Sequence, residues 1–139
     1  MDGMPVPETS IAEVVTEASA KMHDPKYISS EVDRFVGGQP AIAKLVMGRK
    51  GTLGVEGVVT VLFHAALLAQ GVARASGRTA PRVSSGALQR VAKDAGTVEA
   101  LAATEPNLAS YIASNVEGDG LEQRLTRSLL AQIAAALVE

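Results

Sequence analysis

The chain contains no cysteine and no tryptophan. The first absence excludes disulfide bonds, a thiolate nucleophile and any thiolate-ligated zinc or iron–sulfur site. Aromatic residues are scarce: Tyr27, Phe35, Phe63 and Tyr111 are the whole set. So few ring faces argue against base stacking and against a sugar-binding platform. No basic stretch followed by an apolar run opens the chain, so no secretory signal is read and a cytoplasmic protein is expected. Disorder is excluded by the opposite property, because 47% of the residues are hydrophobic and only 20% are charged.

Alanine and valine supply most of that apolar content, with 23 Ala and 16 Val in 139 residues. Ala has the lowest side-chain entropy cost in a helix, and its small side chain lets helices approach closely. A chain of this length buries roughly two-thirds of its unfolded surface, enough for one core. The expected fold is all-α: a compact multi-helix bundle of about six or seven short-to-medium helices around a central apolar helix at about 54–76, with no sheet. Residues 1–9, with Pro5 and Pro7, read as a flexible lead-in, and 10–139 as a single helical domain.

The local signals are as follows. Ser10 and Glu13 form a capping box that opens a helix over about 10–22. Asp24-Pro25 reads as the N-cap and first residue of a second helix, which Gly37-Gly38 ends. Pro40 starts a short third helix to about 48. A glycine-rich basic connector, Arg49–Gly54, precedes the most apolar stretch. Between Gly57 and Ala73 the polar side chains are only Thr60, His64 and Gln70. That run is short of the roughly 20 residues a membrane span needs and carries a histidine, so a central bundle helix is expected and no span. A loop at about 77–86 is followed by short helices at about 86–95, 97–103 and 105–116. Asp119-Gly120 launches the last helix, with Leu121, Leu125, Leu129, Ile133 and Leu137 in a row at spacing four.

Charge is sorted along the chain. The net charge is −2, yet residues 1–39 carry −4, residues 40–93 carry +7 and residues 94–139 carry −5. The middle holds Lys44, Arg49, Lys50, Arg74, Arg78, Arg82, Arg90 and Lys93 against a single acid, Glu56. The candidate binding surface is Arg74, Arg78, Arg82, Arg90 and Lys93, with Arg49 and Lys50. Two readings compete for it. The basic residues form a face for an acidic partner, or the acidic flanking helices pack around them and pair their charges.

Most candidate chemistry fails on spacing. His64 has Thr60, Val61, Leu67 and Leu68 as helical neighbours and no carboxylate within reach on its own helix. It reads as a hydrogen-bonded buried histidine, or alternatively as the polar group of an internal cavity. His23 and His64 lack a third ligand at metal spacing. Glu117, Asp119 and Glu122 lack the alternating order of a calcium loop, and Lys50-Gly51-Thr52 lacks the order of a phosphate-binding loop. No metal, cofactor or catalytic residue is assigned.

The resulting expectation is a non-enzymatic protein–protein interaction or adaptor module that contacts an acidic partner through residues 74–93. The alternatives are a nucleic-acid-associated regulator using the same segment and a ligand-binding protein or enzyme with His64 in a cavity. A homodimer is expected too, since Ala131, Ala134 and Ala135 on the last helix permit a close two-fold contact.

Overall fold

A computed structural model describes residues 5–139, apart from the side chains of residues 94 and 95. Eight helices make up the described residues, and no strand occurs among them: α1 (Glu8–Lys21), α2 (Tyr27–Gly38), α3 (Pro40–Met47), α4 (Lys50–Ser76), α5 (Ser85–Ala95), α6 (Val98–Ala102), α7 (Pro106–Asn115) and α8 (Leu121–Val138). The all-α bundle around a central helix is what the alanine content and 3.6-residue periodicity dictate.

Helix α4 is the centre. It packs against α1, α2, α3 and, most extensively, α8, which in turn carries α5, α6 and α7. By length and composition α4 could cross a bilayer, but from Val61 to Ala73 none of its residues is exposed, because its neighbours enclose it. Small residues make this enclosure tight. Ala65, Ala66 and Ala69 of α4 and Ala131, Ala134 and Ala135 of α8 are all buried. Between them sit Val61, Leu68, Leu130 and Ile133, each nearly solvent-free. Burying one such large aliphatic side chain contributes roughly 1.5–3 kcal/mol.

Several local expectations give way to the tertiary structure. Ser10 does not cap α1. Its side chain is buried one turn in, and its N–H donates to the Pro7 carbonyl at 3.2 Å, with Pro7 at the N-cap position. Asp24 does not begin α2 either. Its carboxylate accepts from the Lys26 N–H at 2.9 Å in a tight turn, and the helix starts at Tyr27. Gly37 and Gly38 are the last two residues of α2, as expected, although neither has positive φ and Gln39 is the C-cap. Asp119-Gly120 does lead into α8, with Gly120 at the N-cap position and no side-chain bond there.

The connector expected at 49–54 is largely helical. Lys50–Leu53 form a turn, and the break falls on Gly54 alone (φ 74°, ψ 174°), a backbone region open essentially only to glycine. Gly77 (φ 70°, ψ 15°) then ends α4 in the left-handed conformation. Ser84 and Thr97 cap α5 and α6, accepting from the Ala87 and Ala100 N–H groups at 3.1 Å each.

The N-terminal segment is engaged before α1 starts. Val6 is buried in the core, with its main chain bonded to Glu105 and Asn107.

Candidate functional site

The basic segment runs from the last turn of α4, through the loop at 77–84, to the exposed face of α5. Its shape is set by Gln39, at the α2–α3 junction. The Gln39 side chain, on a residue 5% exposed, donates from Nε2 to the Pro81 carbonyl at 2.7 Å. It also accepts at Oε1 from the Val83 N–H at 2.9 Å. One amide thus satisfies a donor and an acceptor of the loop, which would otherwise be unpaired. Val83 is buried beneath it, and Arg82, between the two bonded residues, is exposed.

The structure treats the candidate residues differently. Arg74 is committed to α1, where its guanidinium binds the Glu17 carboxylate through both terminal nitrogens, Nη2 to Oε1 at 2.9 Å, and lies 3.6 Å from Glu13. The hydrogen bonds from Arg74 hold the Glu17 carboxyl below the usual carboxylate range. Arg90 on α5 donates to Glu139, just past the end of α8. Those two contacts are the internal pairing by acidic flanking helices that the sequence allowed. Arg78, Arg82 and Lys93 are exposed and form no ion pair among the described residues. Arg90 and Lys93 line one shallow depression with Gly86 and Gln89, residues spaced along one outer face of α5. Arg49 and Lys50 sit apart at the α3–α4 corner, exposed, with no bond to the 74–93 segment among the described residues.

His64 faces the bundle interior. Its Nδ1 lies 2.7 Å from the Tyr111 hydroxyl of α7. Tyr27, Phe63, His64 and Tyr111 form a row of tilted and edge-on rings, with centroids 5.9, 6.0 and 5.7 Å apart in turn. Burial pushes the His64 imidazole below its ordinary range and the Tyr111 phenol above its own. His64 lines neither the depression on α5 nor the larger open groove of about 580 Å³ between the 96–99 and 116–128 segments. In that groove the Arg127 guanidinium is already occupied by the Val116 and Gly118 carbonyls at 3.0 and 2.8 Å. No buried side-chain polar atom lacks a partner among the described residues.

The dimer contact expected through Ala131, Ala134 and Ala135 is not available in this fold. All three are buried within the single chain, because the same small-residue stripe is used inside it. Sequence reading did not assign Gln39, Tyr111 or Glu105 a role. Nothing local marks them, since their partners lie 44, 47 and 99 residues away.

No protein-family model, curated protein or solved structure matches this chain.

Proposed function

We propose that this chain is a non-enzymatic helical interaction module that contacts an acidic protein partner through its basic central segment. The observation that carries this reading is the state of Arg78, Arg82 and Lys93. All three are exposed and without an ion pair among the described residues, on a segment whose backbone Gln39 holds in place. Exposed, unpaired charges of one sign raise the local potential and speed encounter with an opposite surface. Arg74 and Arg90, already engaged by Glu17 and Glu139, contribute less net field. The pre-set loop lowers the ordering cost of binding.

Fluorescence anisotropy with a labelled polyglutamate peptide tests the proposal. The wild-type chain binds, and binding weakens as salt is raised. Joint reversal by Arg78→Glu, Arg82→Glu and Lys93→Glu weakens it by about tenfold or more while circular dichroism keeps its helical signal. Absent binding, or binding unchanged in the triple variant, rejects the reading. Duplex DNA and RNA are run alongside. Binding to these alone, with a steep negative salt slope, transfers the segment to nucleic-acid recognition.

A further inference from the structure

The main chain of Val6 is held by two side chains that lie 99 and 101 residues further along the chain. Glu105 Oε1 accepts from the Val6 N–H at 2.8 Å, and Asn107 Nδ2 donates to the Val6 carbonyl at 2.9 Å. These two residues flank Pro106 at the start of α7, where Glu105 is the N-cap and Pro106 fixes the first helical residue. The spacing of the two groups is therefore set by a rigid helix entry. Beneath them the Val6 side chain is 5% exposed and belongs to the core, and Glu105 is itself only 7% exposed.

The occupant is suited to such a grip. Pro5 and Pro7 have no N–H, and Pro7 (φ −66°, ψ 147°) is in polyproline II geometry. That conformation makes no internal hydrogen bonds, so the donor and acceptor of the residue between the prolines are free for a partner. It also loses little chain entropy on binding, which is why proline-flanked segments recur as ligands. Apart from the Ser10 N–H on the Pro7 carbonyl, the two clamp bonds are the hydrogen bonds outside the helices that hold residues 5–7 among the described residues.

We propose that Glu105, Asn107 and the apolar pocket under Val6 form a binding site for an extended proline–apolar–proline segment of a partner protein, which the chain's own Pro5–Pro7 occupies as a tethered ligand. The chemistry of the ligand is read from that occupant: one apolar side chain for the pocket, one N–H for the carboxylate, one carbonyl for the amide, and prolines on both sides. Tethering keeps the internal segment at a high effective concentration, so a partner segment competes with it and is shut out until it is displaced. The site is separate from the basic segment and does not rest on the function proposed for it.

The test uses the full chain carrying Val6→Asp, which places a charge in the apolar pocket and releases the internal segment. An acetylated Met-Pro-Val-Pro-Glu peptide is titrated and followed through the Asn107 side-chain amide by two-dimensional NMR. The peptide binds the Val6→Asp chain about tenfold or more tightly than the wild type. Adding Asn107→Ala removes about tenfold of that affinity, read by calorimetry, and a peptide with Asp in place of its Val does not bind. Should Val6→Asp fail to fold, Val6→Gly, which removes only the apolar side chain, gives the same comparison. No binding to either variant, or equal binding to variant and wild type, overturns the proposal. So does dimerisation of the wild-type chain through exchange of this segment, seen by light scattering and lost in the Val6→Asp chain.

Discussion

The His64 imidazole and the Tyr111 hydroxyl meet at 2.7 Å and tie the central helix to α7 inside the bundle. Burial holds the folded-state pKa of His64 below its ordinary value of 6.5. Above that value the imidazole is neutral in both folded and unfolded chains, and stability is unaffected. As pH falls below it, the unfolded chain takes up the proton first, so stability declines until the folded pKa is passed and then levels. The urea midpoint is therefore expected to drop as pH falls below about 6.5, the ordinary imidazole value, with a shallower drop in His64→Gln. Tyr111→Phe leaves the imidazole without its partner and costs about 1–3 kcal/mol at neutral pH. Equal pH slopes for wild type and His64→Gln would show that the pair does not govern acid stability.

Gln39 controls the geometry of the basic loop through one side chain. Gln39→Ala strands the Pro81 carbonyl and the Val83 N–H, for a loss of about 1–3 kcal/mol. Hydrogen exchange at the Val83 amide should accelerate more than at amides in the middle of α4. Gln39→Glu keeps the acceptor for Val83 but replaces the donor to Pro81 with an oxygen, so it rescues only part of the protection. Full protection of the Val83 amide in the alanine variant would mean the loop is held by other contacts.

Leu121 and Ile133 belong to the same apolar row in the sequence but should respond very unequally to truncation. Ile133 has no solvent exposure, whereas Leu121 is 73% exposed. Ile133→Ala removes buried methyl groups and leaves a cavity between α8 and its neighbours, for about 2–5 kcal/mol. Leu121→Ala stays within about 0.5 kcal/mol. Comparable losses in thermal unfolding would contradict the packing at the start of α8.

Two glycines should respond with opposite sign. Gly37 lies inside α2 with open space around it, so Gly37→Ala should stabilise the chain by about 0.5–1 kcal/mol through reduced unfolded-state entropy. Gly54 has φ 74°, and Gly54→Ala forces a strained backbone at a cost of about 1–3 kcal/mol. Chemical denaturation distinguishes the two, and stabilisation by Gly54→Ala would mean that α4 is continuous there.

Much of the fold is legible along the chain because helical periodicity is a local property. Gly57–Ala73 reads as an enclosed helix from its composition, and the structure encloses it from Val61 onward. Pro40 and Pro106 begin helices where a missing N–H costs nothing. Gly37-Gly38 marks the end of α2, whereas Asp24-Pro25 precedes its start, because an Asx turn permits a helix boundary without requiring one. The basic segment was visible as charge, but its division into engaged and exposed residues was not. Arg74 and Arg78 are both arginines four apart, and only the position of α1 commits the first to Glu17.

What the amino-acid sequence determined by itself is therefore the class of fold, the central helix and the sorting of charge into −4, +7 and −5. What tertiary structure decided is partnership: Val6 with Glu105, Gln39 with Val83, His64 with Tyr111 and Arg90 with Glu139. The physical reason is range. Periodicity and capping act over one or two turns of chain, whereas a hydrogen bond between residues dozens of positions apart depends on which helices meet, and that is fixed only when the whole core packs.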